Sequence, residues 1–159
     1  AELDRVAPDL VVLSPGPGRP ADFGVGATVA RVLERGLPCF GVCLGLQGIV
    51  EHFGGRLGQL DLPMHGKASV MKVHGGRLFE AMPEQFLAGR YHSLFAKADE
   101  LPDCLEVTAQ SDDGVVMAVE HRSLPVAAVQ FHPESIMSLG DEAGMRLVAN
   151  VVRQLRGAP

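Results

Sequence analysis

The sequence predicts an α/β fold, an open mixed sheet with helices on both faces. Two continuous apolar runs, Leu10 to Leu13 and Leu37 to Val42, each break into a glycine-bearing turn, and a stretch of helical period lies between them. Later runs alternate with period two, which signals antiparallel pairing, and the chain closes on another helical stretch. Parallel strands first and antiparallel strands after them make the sheet mixed.

Taken in order, Leu10-Val11-Val12-Leu13 reads as a parallel strand covered on both faces. It runs into Ser14-Pro15-Gly16-Pro17-Gly18, where the prolines fix φ and the glycines leave bare backbone, so a rigid loop presents N–H groups at a strand's C-terminal end. Alone, a PGPG run is equally an ordinary proline-rich turn. Asp22 is placed to cap a helix with Val25, Val29, Val32 and Leu33 on its apolar face and Gly36 as its stop. The strand through Val42 then completes a right-handed βαβ unit, which brings both glycine loops to one edge of the sheet and Gly16 near Cys43.

Leu46, Ile49, Val50 and Phe53 mark the next helix, closed by Gly54 and Gly55. Ala68 to Val73, Leu105 to Thr108 and Val115 to Glu120 alternate, with Asp113-Gly114 as a hairpin turn between the last two, so each is expected to bury one side. Gly89 to Leu94 lacks a period and reads as a polar, aromatic loop. Val126 to Phe131 is another apolar strand, ending at His132-Pro133-Glu134-Ser135. A last helix from about Asp141 to Arg156 places Met145, Val148, Val152 and Leu155 on one face.

At 159 residues and 47% hydrophobic, the chain is long enough for one domain with a core. A net charge of −5 without a basic cluster argues against nucleic acid and anionic membranes as partners. The chain has no apolar run of membrane-spanning length and its first residues carry no signal-peptide pattern, so a cytoplasmic protein is expected. Its three cysteines, Cys39, Cys43 and Cys104, have neither disulfide-framework nor zinc spacing and are expected to be reduced.

The chemistry centres on Gly41-Val42-Cys43-Leu44-Gly45. A cysteine between two glycines at a strand-to-helix turn sits in a strained conformation above the sheet. The helix's free N–H groups would favour its thiolate and could hold an oxyanion. Without that context a cysteine is more often a buried, inert one. His132 and Glu134 follow a strand end that would open onto the same edge. Imidazole, with an unperturbed pKa of about 6.5, can take a thiol proton and return it to a leaving amine, and a carboxylate two residues on can hold its tautomer. Cys43, His132 and Glu134 therefore read as nucleophile, base and orienting group.

Together with SPGPG (Ser14 to Gly18), GVCLGLQ (Gly41 to Gln47), MHGK (Met64 to Lys67), GRYHSL (Gly89 to Leu94) and QFHPES (Gln130 to Ser135), these residues make the sequence resemble the class I (triad-type) glutamine amidotransferases, within them the glutaminase components of anthranilate synthase. The resemblance implies a flavodoxin-like sheet and hydrolysis of L-glutamine through a Cys43 thioester, with ammonia passed to a chorismate-using synthase, fused or separate. It implies an oxyanion hole from the N–H groups of Gly16 and Leu44. It also implies a glutamine site from Gly16, Pro17, Gly18, Gln47, Ser93 and Leu94, with Tyr91 and His92 as packing. No cofactor is expected in this domain, Mg2+ only in the chorismate-binding partner.

Two departures stand out. Leu46 replaces a histidine common in relatives, as in fused polypeptides of the family. Family members also carry a strand, helix and strand before the position of Ala1, so residues 1–159 are expected to be an N-terminally incomplete domain. Aminodeoxychorismate and phenazine-type synthases use the same motifs. The other readings are a stand-alone γ-glutamyl hydrolase and a non-catalytic glutamine-binding or docking subunit.

Overall fold

The first apolar run forms β1 (Val11–Leu13) and the second forms β2 (Cys39–Val42), parallel neighbours paired from Val11 with Cys39 to Leu13 with Gly41. The structure is a computed structural model that describes residues 2–157, so the extreme ends of the expected domain lie outside the described residues. A short helix, α1 (Glu2–Val6), precedes β1, and α2 (Val25–Glu34) joins β1 to β2. After β2 come α3 (Leu44–His52) and five further strands: β3 (Leu57–Val73), β4 (Gln85–Ala96), β5 (Leu105–Ser111), β6 (Val116–His121) and β7 (Val126–Val129). Helix α4 (Ala143–Leu155) ends the fold. Among the described residues the sheet has seven strands in the order β1-β2-β7-β6-β5-β3-β4, with β1, β2 and β7 parallel and the other pairings antiparallel.

The continuous apolar runs of β2 and β7 reflect burial on both faces. Cys39, Val126 and Ala128 point into one core with Val29 and Val32 of α2 and Leu46, Ile49 and Val50 of α3. Their neighbours Phe40, Val42, Ala127 and Val129 point into a second core with Leu147, Val151 and Leu155 of α4. Successive side chains leave a strand on opposite faces, so a strand between two helical layers must be apolar throughout. Leu46 is wholly buried, in keeping with a packing role.

Several local expectations are corrected. Val12 is 56% exposed because β1 is the outermost of the described strands, so the run is not covered on both faces. Asp22 does not cap α2; it accepts the Arg19 N–H at 2.8 Å in a 3-10 turn over Pro20–Phe23, and α2 starts at Val25 after the N-cap residue Gly24, whose φ of 61° suits a sharp turn-to-helix junction. Ala68 to Val73 is only the end of the long strand β3, whose pairing with β4 shifts register between Gln59 and Met64 and between His65 and Lys67.

Gly89 to Leu94 is not a loop but part of β4. Its polar residues Arg90 and His92 face inward and are hydrogen-bonded to one another, which hides the strand's period from a hydropathy reading. Every residue of β6 is buried, since it lies between β5 and β7 under both layers; Glu120 accepts the N–H groups of Arg77 and Leu78 at 3.1 and 3.0 Å. Finally, α4 begins at Ala143 and is rotated from the expected face. Met145, Val148 and Val152 are exposed, while Gly144, Leu147, Asn150, Val151 and Leu155 are buried. Asn150 can face inward because its amide donates to the carbonyls of Leu78 and Glu80, both at 2.9 Å.

Candidate active site

The turn from β2 into α3 holds Cys43 at φ 54°, ψ −100°, a conformation costly for any residue with a Cβ. The surrounding contacts leave the chain little alternative. A Cβ on Gly41 would lie 2.5 Å from the Gly45 carbonyl carbon, and one on Gly45 would lie 2.5 Å from the Leu13 oxygen, so strand and helix touch backbone to backbone. Cys43 is buried. Its N–H donates to the Val129 carbonyl at 2.8 Å, and its Sγ lies 3.8 Å from the Tyr91 carbonyl.

Burial pushes the Cys43 thiol up to about 11, against the Leu44 N–H and the Gln130 side chain, which pull the other way, while the charge of Glu134 adds a small rise. The helix N-terminus therefore acts in the expected direction, but desolvation outweighs it. A resting thiol needs a base.

His132 follows β7, and its N–H donates to Gly89 O at 2.9 Å, bridging to β4. Its Nδ1 lies 2.6 Å from Glu134 Oε1. The carboxylate can only accept, so the network assigns the proton to Nδ1 and leaves Nε2 as a lone-pair acceptor. That Nε2 is buried and has no hydrogen-bond partner among the described residues. Tyr91 links Cys43 and His132: its carbonyl faces the thiol, its ring sits edge-on to His132 at 4.9 Å, and its hydroxyl is 3.3 Å from Ser135 Oγ.

A cavity of about 230 Å³ opens at Cys43 and is lined by Gly16, Pro17, Gly18, Gln47, Ser93 and Leu94, with Tyr91, His92 and His65. Leu44 adjoins it, since a Cβ on Gly16 would lie 3.0 Å from Leu44 Cδ2. Residues from four separate motifs thus meet here. A larger groove of about 940 Å³ lies at the N-terminal ends of β2 and β7, around Leu37, Pro38 and Pro125, and no cysteine or histidine lines it. Tyr91, His92 and His65 were not legible as site residues, because only the pairing of β3 with β4 turns them towards Cys43.

Behind the cavity lies a directed polar chain. Arg90, wholly buried, donates from Nη1 to Asp113 at 3.0 and 3.1 Å and from Nε to His92 Nε2 at 3.0 Å. His92 must then carry its proton on Nδ1, which donates to Leu94 O at 2.8 Å. The same carbonyl accepts Gln47 Nε2 at 3.2 Å, and that Nε2 also donates to Gln130 Oε1 at 3.2 Å.

Burial, with the adjacent Arg90 charge, pushes His92 down from 6.5 to about 4, although the Leu94 carbonyl opposes this. The unfolded chain binds this proton more readily than the native one. Stability should therefore be complete above about pH 6.5 and fall on the way to pH 4, by roughly 3 kcal/mol from this group. Urea unfolding of wild type and His92→Asn across that range is expected to show a difference that shrinks as the pH falls. A difference constant with pH would contradict a buried neutral imidazole.

The glutamine amidotransferase class-I family matches residues 1–152, and the chain belongs to that family. An anthranilate synthase of Azospirillum brasilense is 61% identical over 155 residues, 98% of this chain and 21% of that protein, so the chain spans about a fifth of its length. Anthranilate synthase component 2 of Methanocaldococcus jannaschii is 43% identical over 157 residues, 95% of this chain and 78% of that protein. Among solved structures, a Thermoplasma acidophilum protein described as a GMP synthase subunit superposes with a TM-score of 0.82 at 27% identity, covering 95% of this chain and 73% of that one. A glutamine amidotransferase from Thermotoga maritima shares the fold, with a TM-score of 0.70 at 16% identity over 93% of this chain and 73% of that one.

Proposed function

We propose that the chain is the glutaminase part of an anthranilate synthase, releasing ammonia from L-glutamine for a chorismate-using synthase in tryptophan biosynthesis. The observation that carries the reading is that Tyr91 touches both a strained, buried Cys43 and a His132–Glu134 pair whose buried Nε2 has no hydrogen-bond partner among the described residues. The names of the Azospirillum and Methanocaldococcus relatives support anthranilate as the product. An aminodeoxychorismate synthase of Streptomyces griseus is also similar, at 52% identity over 146 residues. The partner is a synthase domain or subunit, either fused or separate.

In this reading the Cys43 proton moves to His132 Nε2 as sulfur bonds the side-chain amide carbon of glutamine. The oxyanion is held by the N–H groups of Gly16 and Leu44, each worth on the order of 3 kcal/mol in such a transition state. The C–N bond then breaks, and the proton on His132 passes to the nitrogen, which leaves as ammonia. Water adds to the thioester, gives a proton to His132, and the sulfur leaves with that proton, yielding glutamate. Gly16 to Gly18, Gln47, Ser93 and Leu94 hold the substrate's α-amino and α-carboxylate groups. The domain uses no cofactor, Mg2+ belongs to the chorismate-binding partner, and the reaction runs in the cytoplasm. Among the described residues no helix is long and apolar enough to cross a membrane.

A chloroketone analogue of glutamine is expected to alkylate Cys43 and to spare Cys39 and Cys104, as read by peptide mass spectrometry. Excess glutamine should protect. Preferential labelling of Cys104, or labelling that glutamine does not slow, would reject the site. Supplying the synthase partner with chorismate and glutamine and identifying the aromatic product distinguishes anthranilate from aminodeoxychorismate.

A further inference from the structure

The role of Gln130 is not explained by packing. It is the residue after Val129, which pairs with Val42 across the parallel strands, so Gln130 stands beside Cys43. The Cys43 N–H bound to Val129 O at 2.8 Å, and the Gln130 N–H bound to Met117 O at 2.8 Å, fix that placement. Its side chain is wholly buried.

The direction of its amide is also fixed. Leu94 O can only accept, so Gln47 turns its NH2 group towards it and offers the same NH2 group to Gln130. Gln130 must answer with Oε1. Its own NH2 group is then turned away from Gln47, and Nε2 is buried with no hydrogen-bond partner among the described residues. A buried donor without an acceptor is costly and uncommon. The sense of the chain is imposed from its far end by Arg90, which has only donors to give His92.

We propose that Gln130 Nε2 is a hydrogen-bond donor reserved for the charged form of the Cys43 sulfur, unpartnered while the thiol faces the Tyr91 carbonyl and satisfied when the proton leaves. This rests on Cys43 being the nucleophile. The donor gains its acceptor only as negative charge develops on sulfur, so it favours the activated state over the resting one. It acts again when the thioester is resolved and the sulfur departs. The Gln130 side chain also opposes the effect of burial on the thiol.

The test uses Gln130→Met, which keeps the bulk and removes the amide, and Gln130→Glu, which keeps an acceptor for Gln47 and removes the donor. Iodoacetamide alkylation of Cys43 is followed between pH 7 and 9 by peptide mass spectrometry, with Cys104 of the same molecule as internal control and near-ultraviolet circular dichroism as the check on folding. Below the thiol's pKa the rate tracks the thiolate fraction. Loss of one donor to a charged acceptor should slow Cys43 about 10- to 100-fold at each pH and leave Cys104 unchanged. In the complex with the synthase, glutaminase kcat should fall by a similar factor while KM changes less than about threefold.

An unchanged Cys43 alkylation rate in a folded variant, or a raised KM with kcat intact, overturns the proposal; where one variant does not fold, the other decides. Alkylation requires no glutamine. A wild-type protein that is alkylated at Cys43 but releases no ammonia would therefore count against the glutaminase reading, while the variants still decide the role of Gln130.

Discussion

Cys43→Ala, in the complete synthase, is expected to lower glutamine-dependent product formation by at least about 1,000-fold while leaving synthesis from added ammonium salts near the wild-type rate. The asymmetry follows from the geometry. Of the three cysteines only Cys43 lines the cavity with Gly16 and Gln47. Cys39 is buried in the core beneath α2 and α3, where burial pushes its thiol up to about 12, and Cys104 packs against that same core. No neighbouring thiol can substitute, whereas ammonia supplied from solution bypasses the proposed thioester. Parallel steady-state assays with the two nitrogen sources check this, and glutamine-dependent turnover persisting near the wild-type rate would remove Cys43 from the mechanism.

Gly45→Ala is expected to damage the fold severely, costing about 3 kcal/mol or more. In an exposed helix the same change would stabilise by about 1 kcal/mol through backbone entropy, so the sign is decided by the surroundings. Here the added carbon would meet the Leu13 oxygen at 2.5 Å and Leu13 Cβ at 2.9 Å. The carbonyl belongs to the end of β1 and cannot rotate aside as a flexible side chain could. Overpacking against backbone sits at or beyond the upper end of the usual range of 1 to 3 kcal/mol. Chemical denaturation of the purified variant measures it, and a loss below about 1 kcal/mol would show that α3 can lift from the sheet without penalty.

The parts of the fold that could be read from the sequence are those where apolar period and glycine placement act locally. The β1-α2-β2 crossover and the Cys43 turn follow from short stretches, because strand, turn and helix signals lie next to one another in the chain. Arg90 and His92 misled for the opposite reason. Their inward orientation in β4 is made tolerable by Asp113, in the turn between β5 and β6, and by the Leu94 carbonyl, so no hydropathy period records it. The rotation of α4 likewise depends on Asn150 finding two carbonyls near Leu78, and on Gly144 fitting where a Cβ would lie 2.1 Å from the Pro133 oxygen. At the site, cysteine, histidine and glutamate are legible from their chemistry and their strand-end positions. Tyr91 and Gln130 are not, because their contribution comes from register between strands distant in sequence.

That register has a mechanical consequence. Cys43 is the first residue beyond Val42, and His132 the third beyond Val129, on strands paired residue for residue and tied by the Cys43 N–H to Val129 O bond of 2.8 Å. When the sheet twists or breathes thermally, the two strand ends are carried together. Only the short overhangs can change the separation of sulfur and imidazole, and the longer one is moored to Gly89 of β4. The proposed nucleophile and base therefore ride as one rigid body, which lets the rim of the cavity and its loops yield to a substrate or a partner without detuning them.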